Sequence, residues 1–130
     1  MTHPKHPLRL LVAALLAGAS LAATAQDKVL NLYSARHYQT DEALYANFTK
    51  ATGIKINRID ADDAGVTTRL KAEGAASPAD VVLLVDAARL VKAESEGMFQ
   101  PVNSAVLQQR IPAHLRDGSD GGGPQWFGFS

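Results

Sequence analysis

From residue 29 onward, apolar and polar positions alternate between two rhythms. Short runs place apolar residues next to or two apart from one another, and longer stretches space them by three or four. Val29, Leu30, Leu32 and Tyr33 predict a buried strand, closed at Ser34 and Ala35. Leu44, Phe48 and Ala51 then predict a helix over residues 41–52, capped by Thr40 or Asp41, with Asp41 and Glu42 in its first turn and Gly53 just past its end. Alternation from Ile54 to Ile59 predicts a second strand, and Val66 with Leu70 a second helix over 66–73. Residues 74–78 form a connector, because Pro78 cannot continue a helix. The unbroken apolar run at 81–85 predicts a strand covered on both faces, as in a parallel sheet between helix layers.

Asp86 is placed to cap a helix over 87–96, with Leu90 and Val91 inward and Gly97 as its stop. Met98, Phe99, Pro101 and Val102 read as a short extended piece, and Ser104 caps a last short helix containing Val106 and Leu107. Residues 111–117 connect onward through two hydrophobic pins, 118–124 are a flexible glycine-dominated loop, and Trp126 opens a new strand over 126–129. The order β-α-β-α-β-α-(α)-β predicts an α/β fold: a mostly parallel sheet with flanking helices and right-handed crossovers. A strand that opens at Trp126 and stops within a few residues predicts the front part of a longer polypeptide.

Residues 1–25 change the picture of the amino terminus. Lys5 and Arg9 give a positive n-region, residues 10–17 an apolar h-region, and Ala23-Thr24-Ala25 a small-residue cleavage site, which predicts a secretory signal peptide removed after Ala25. The apolar run is too short to span a bilayer, and no later segment approaches the length a span needs, so direct membrane insertion is not expected. Cysteine is absent, which excludes disulfides, thiolate metal sites and lipid attachment at the cleavage point. The expected compartment is the bacterial periplasm. The expected mature chain, 26–130, carries eleven basic and thirteen acidic side chains, a net charge near −2, which argues against nucleic acid or an anionic membrane as partner. Its 105 residues suffice for a single sheet with helices and not for two lobes.

Candidate chemistry concentrates at Arg36, His37 and Tyr38, between the first strand and its helix. Ligands of open α/β sheets bind beyond the carboxyl ends of the strands, and a helix N-terminus there favours anions. The residues alone leave open a second reading, in which Tyr38 packs into the core and His37 is merely exposed. Asp60, Asp62 and Asp63 could suggest a hard-cation site, but their spacing does not match a calcium loop and capping of the following helix is favoured. No nucleophile–base pairing and no glycine-rich phosphate loop is visible, so no enzyme activity is expected.

Several stretches taken together resemble the periplasmic ferric-iron-binding proteins of ABC transporters, solute-binding proteins of the transferrin-like type II kind. They are L-Y-S-A-R-H-Y at 32–38, T-G-I-K-I-N at 52–57, L-K-A-E-G-A-A-S-P-A-D-V at 70–81, V-D-A-A-R-L at 85–90, I-P-A-H-L-R-D at 111–117 and W-F-G at 126–128. The resemblance implies the partial first lobe of a type II periplasmic binding fold. It also implies capture of Fe3+ in the periplasm, with a synergistic anion such as carbonate, for delivery to a membrane permease. It carries a metal-ligand role onto Tyr38 and, as a ligand in some members, onto His37; it transfers no role to Arg36, which is a candidate for holding an anion as a cation beside a helix N-terminus. Fe3+ is a hard cation, and a phenolate supplies the anionic oxygen it prefers.

The sequence departs from that pattern in lacking any tyrosine after Tyr45, so the family's further tyrosine ligands have no counterpart here and weak or absent iron affinity is expected of the isolated chain. The loop over 118–124 also looks longer and richer in glycine than that family's. Two alternatives stand beside this reading: a binding protein for another cargo (polyamine, thiamine, sulfate or phosphonate), or a truncated remnant with no transport role.

Overall fold

The computed structural model describes residues 28–118 and 123–129. The predicted signal peptide and the middle of the glycine loop lie outside the described residues. Three strands form one parallel sheet in the order β2-β1-β3: β1 spans Val29–Ser34, β2 Lys55–Asp60 and β3 Val81–Leu83. Ser34 lies opposite Asp60 on one side and Leu83 on the other, so the first strand is the central one. Its last residues are therefore the best covered, with Leu32, Tyr33 and Ser34 all buried.

The intervening helices are α1 at Gln39–Thr52, α2 at Asp63–Glu73, α3 at Ala87–Ser95 and α4 at Ala105–Arg110. The predicted caps of the later helices are present: Asp62 accepts from the Gly65 amide, Asp86 from Arg89 and Ser104 from Leu107. Gly53 ends α1 in the left-handed region at φ 71°, where a side chain would be strained. The core gathers Tyr33 and Ala35 from the central strand, Val66 and Leu70 from α2, Leu84, and Ala93 from α3.

Several expectations are corrected. Helix α1 begins at Gln39 with Tyr38 as its N-cap, and no side chain caps it; Thr40 and Asp41 lie inside its first turn. Asp41 is drawn away by Arg36, as described below. Leu44 points to solvent although it sits on the stripe predicted to be apolar. In α3, Val91 is half exposed while Leu90 and Ala93 face the core. Consecutive helical residues lie about 100° apart, so Leu90 selects its neighbour at i+3 and turns Val91 outward.

The run at 81–85 is not covered on both faces. Only residues 81–83 join the ladder, as an edge of the described sheet, and Val81 is exposed. Met98 and Phe99 form no strand and instead pack against the core. The segment after Trp126 adds no strand to the sheet either. Phe127 makes an isolated antiparallel bridge with Arg116, and Gly128 donates its amide to the Leu115 carbonyl. A Cβ on Gly128 would lie 3.0 Å from that oxygen, so a side chain there would press on the Leu115 backbone. The Trp126 indole donates to Glu94, pinning this segment to α3.

Candidate metal centre

The central strand ends in a rigid turn. The Ser34 hydroxyl accepts from the Arg36 amide and donates to the Arg36 carbonyl, closing a local loop just past the ladder. The backbone on either side is held by both neighbours: Ala35 donates to Leu83, and Ala61 donates to Ser34. Residues 36–38 thus leave the sheet from a fixed position at its carboxyl rim. The location agrees with the general placement of ligand sites in open α/β sheets.

Arg36 turns back onto the start of α1. Its Nε and Nη2 bond the two Asp41 carboxylate oxygens at 2.9 and 3.2 Å, a bidentate pair with both side chains largely buried. The Arg36 hydrogen bond holds the Asp41 carboxyl below its ordinary range. An anion approaching Arg36 would have to displace this carboxylate or use the remaining Nη1. The guanidinium also lies over two rings, 4.9 Å from the Tyr38 centroid and 4.8 Å from that of Phe129.

Tyr38 does not enter the core. It is 50 % exposed, and its ring stacks on His37 with centroids 5.8 Å apart and planes 21° from parallel. The reading in which Tyr38 packs in the interior is therefore excluded, while His37 is exposed as that reading also had it. Arg36, His37, Tyr38, Asp41, Tyr45 and Arg58 line a shallow cavity of about 280 Å3. Among the described residues, no cluster of three or more His, Asp or Glu side chains could hold a metal. What the rim offers is one imidazole and one phenol, side by side.

Asp60, Asp62 and Asp63 have separate duties. Asp60 pairs with Arg58 at 2.9 Å, Asp62 caps α2, and Asp63 pairs with Arg89 at 2.9 Å. The preference for capping over a cation site holds for Asp62. Sequence reasoning missed Asp41, Tyr45, Arg58 and Phe129. The first two had a signal: positions 38, 41 and 45 share one helical face, so whatever surrounds Tyr38 includes the next residues on that stripe. The Tyr45 hydroxyl is buried and has no hydrogen-bond partner among the described residues, and Arg58 lies over its ring at 5.1 Å. Phe129 had no such signal, because only the tertiary bridge brings it back to Arg36.

A parallel sheet with its candidate ligands at the carboxyl rim of the central strand has the architecture of a type II periplasmic binding protein, and the solved structures it matches are of that kind. Over the stretch it covers, the chain belongs with the periplasmic ferric-iron-binding proteins. Iron uptake protein A1 of Synechocystis is 51% identical over 105 residues, which are 81% of this chain and 28% of that protein. A solved structure from Trichodesmium, in complex with iron and citrate, superposes with a TM-score of 0.71 at 50% identity, covering 78% of this chain and 31% of that one. More distantly, a thiamine-binding periplasmic protein of Brucella suis is 29% identical over 116 residues, 85% of this chain and 35% of that protein. No family model matches the sequence. The chain thus spans about a third of the length of the relatives it matches, and those relatives are binding and uptake proteins rather than enzymes.

Proposed function

We propose that this chain contributes one side of a ferric-iron site in the substrate-binding component of an iron(III) ABC transporter, with Tyr38 and His37 as metal ligands. The observation that carries the reading is the exposed phenol stacked beside an imidazole at the rim of the central strand, in a chain half identical to an iron uptake protein. Phenolate oxygen suits a hard trivalent cation, and a neutral imidazole adds a second donor. The remaining coordination positions would come from outside the described residues, including a small oxygen-donor anion of the carbonate type, for which Arg36 is the candidate holder. Residues 1–25 act as an export leader, 26–130 form a partial α/β lobe in the periplasm, and a membrane permease receives the iron.

The metal must displace the proton of the phenol, so binding through Tyr38 releases a proton. The test is a ferric titration of the purified chain, supplied as a weak chelate and followed in the visible region. A phenolate-to-iron charge-transfer band that Tyr38→Phe abolishes supports the assignment; the same band surviving in that variant overturns it. Thiamine binding is the second reading, favoured by the Brucella relative. Heat released on titrating thiamine, with no charge-transfer band for iron, would decide for it.

A further inference from the structure

Tyr38 presents a problem that the metal assignment alone does not solve. A half-exposed tyrosine with nothing to hold its ring samples several rotamers, and collecting a ligand from several rotamers costs binding free energy. The surroundings supply a flat cation held in one place. The Arg36 guanidinium is fixed by two hydrogen bonds from Nε and Nη2 to Asp41, whose carboxylate is itself buried. Its flat group lies 4.9 Å from the Tyr38 ring and 4.8 Å from the Phe129 ring. With Nε and Nη2 both held by Asp41, the guanidinium cannot turn without breaking that two-pronged pair, which gives the Tyr38 ring a platform.

We infer that Arg36 is a positioning residue for Tyr38: clamped by Asp41 and covered by Phe129, it holds the phenol in the orientation in which it meets the metal. The value of this to iron binding rests on Tyr38 being a ligand, but the orientation itself does not. Phe129 makes the arrangement depend on the distant segment bridged at Arg116, so one end of the described chain steadies the other. Lysine cannot replace Arg36, because an ammonium has neither the two-pronged fork nor the flat face.

The experiment has an arm without iron. In the whole chain, the Hα–Hβ couplings of Tyr38 are measured by NMR for the wild type, Arg36→Lys, Arg36→Met and Phe129→Leu, the resonances being assigned with Tyr38→Phe. One dominant χ1 rotamer is expected in the wild type, with averaging in both Arg36 variants and partial averaging in Phe129→Leu. Phe129 is itself half exposed, so its substitution keeps the test available if an Arg36 variant fails to fold. Averaged couplings in the wild type, or wild-type couplings in Arg36→Lys, overturn the inference. A second arm repeats the ferric titration, where Arg36→Lys should weaken binding about two- to fivefold, the scale of one cation–π contact, without restoring it relative to Arg36→Met. Ordered couplings together with an iron band that survives Tyr38→Phe would defeat the metal assignment and leave the positioning role standing.

Discussion

At the scale of single residues, the two tyrosines of the L-Y-S-A-R-H-Y stretch do opposite work. Tyr38 faces outward, whereas Tyr33 is 1% exposed and sends its hydroxyl to the Glu73 carboxylate, 2.9 Å from each oxygen. Glu73 also accepts from Arg69 and Ser77, each at 2.7 Å, and the Arg69 guanidinium lies over the Tyr33 ring. This small network ties the central strand to the end of α2 and to the connector that follows. It gives Glu73 and Ser77 of the L-K-A-E-G-A-A-S-P-A-D-V stretch a structural purpose. Asp80 of the same stretch accepts from the Asn31 amide at 2.8 Å, and Asn31 in turn accepts from Asn57 across the sheet. Tyr33→Phe removes a hydrogen bond to a charged group from a buried ring, and should lower stability by about 1.5–3 kcal/mol in urea unfolding. It should leave any Tyr38-dependent iron band in place. Loss of that band would mean the two tyrosines had been assigned the wrong way round.

At the scale of elements, what could be read from the sequence was local chemistry, and what could not was the choice of neighbours. The cap residues Asp62, Asp86 and Ser104 and the stop at Gly53 are legible because each acts on amides or dihedrals a few residues away. The two candidate ligands, His37 and Tyr38, were visible for a related reason: a strand signal followed at once by a helix signal marks the rim on which they sit. The exposure of Val81 and Leu44 was not legible, since an apolar run predicts a covered surface without saying what covers it. The same holds for Phe127, whose β signal is satisfied by one bridge instead of a ladder. Asp41 was misread because its sequence position suits a cap, while Arg36 offers a charged, bidentate partner that a backbone amide cannot match. Asp62→Ala should accordingly cost about 1 kcal/mol, and Asp62→Asn much less, because asparagine still accepts from the Gly65 amide. Chemical denaturation of the two variants separates the cap from any role for the charge.

At the scale of the whole molecule, acid sensitivity follows from where the carboxylates point. Arg36 lowers the carboxyl of Asp41, the Ser77 hydroxyl and Arg69 that of Glu73, the Arg89 amide that of Asp86, and Lys92 with Lys71 that of Glu96. The unfolded chain therefore takes up protons at a higher pH than the folded one. Their stabilisation is complete above the ordinary carboxylate range and is lost as pH falls through the depressed values. The melting temperature should stay nearly level from about pH 7 to 5 and fall steeply below about pH 4. A melting temperature that rose on acidification would contradict these pairings. The seating of Phe129 on Arg36 has one more consequence, felt at the bench. Trimming the chain back to residue 125 would take away the ring packed on Arg36 and so alter the surroundings of Tyr38, whichever cargo is being assayed.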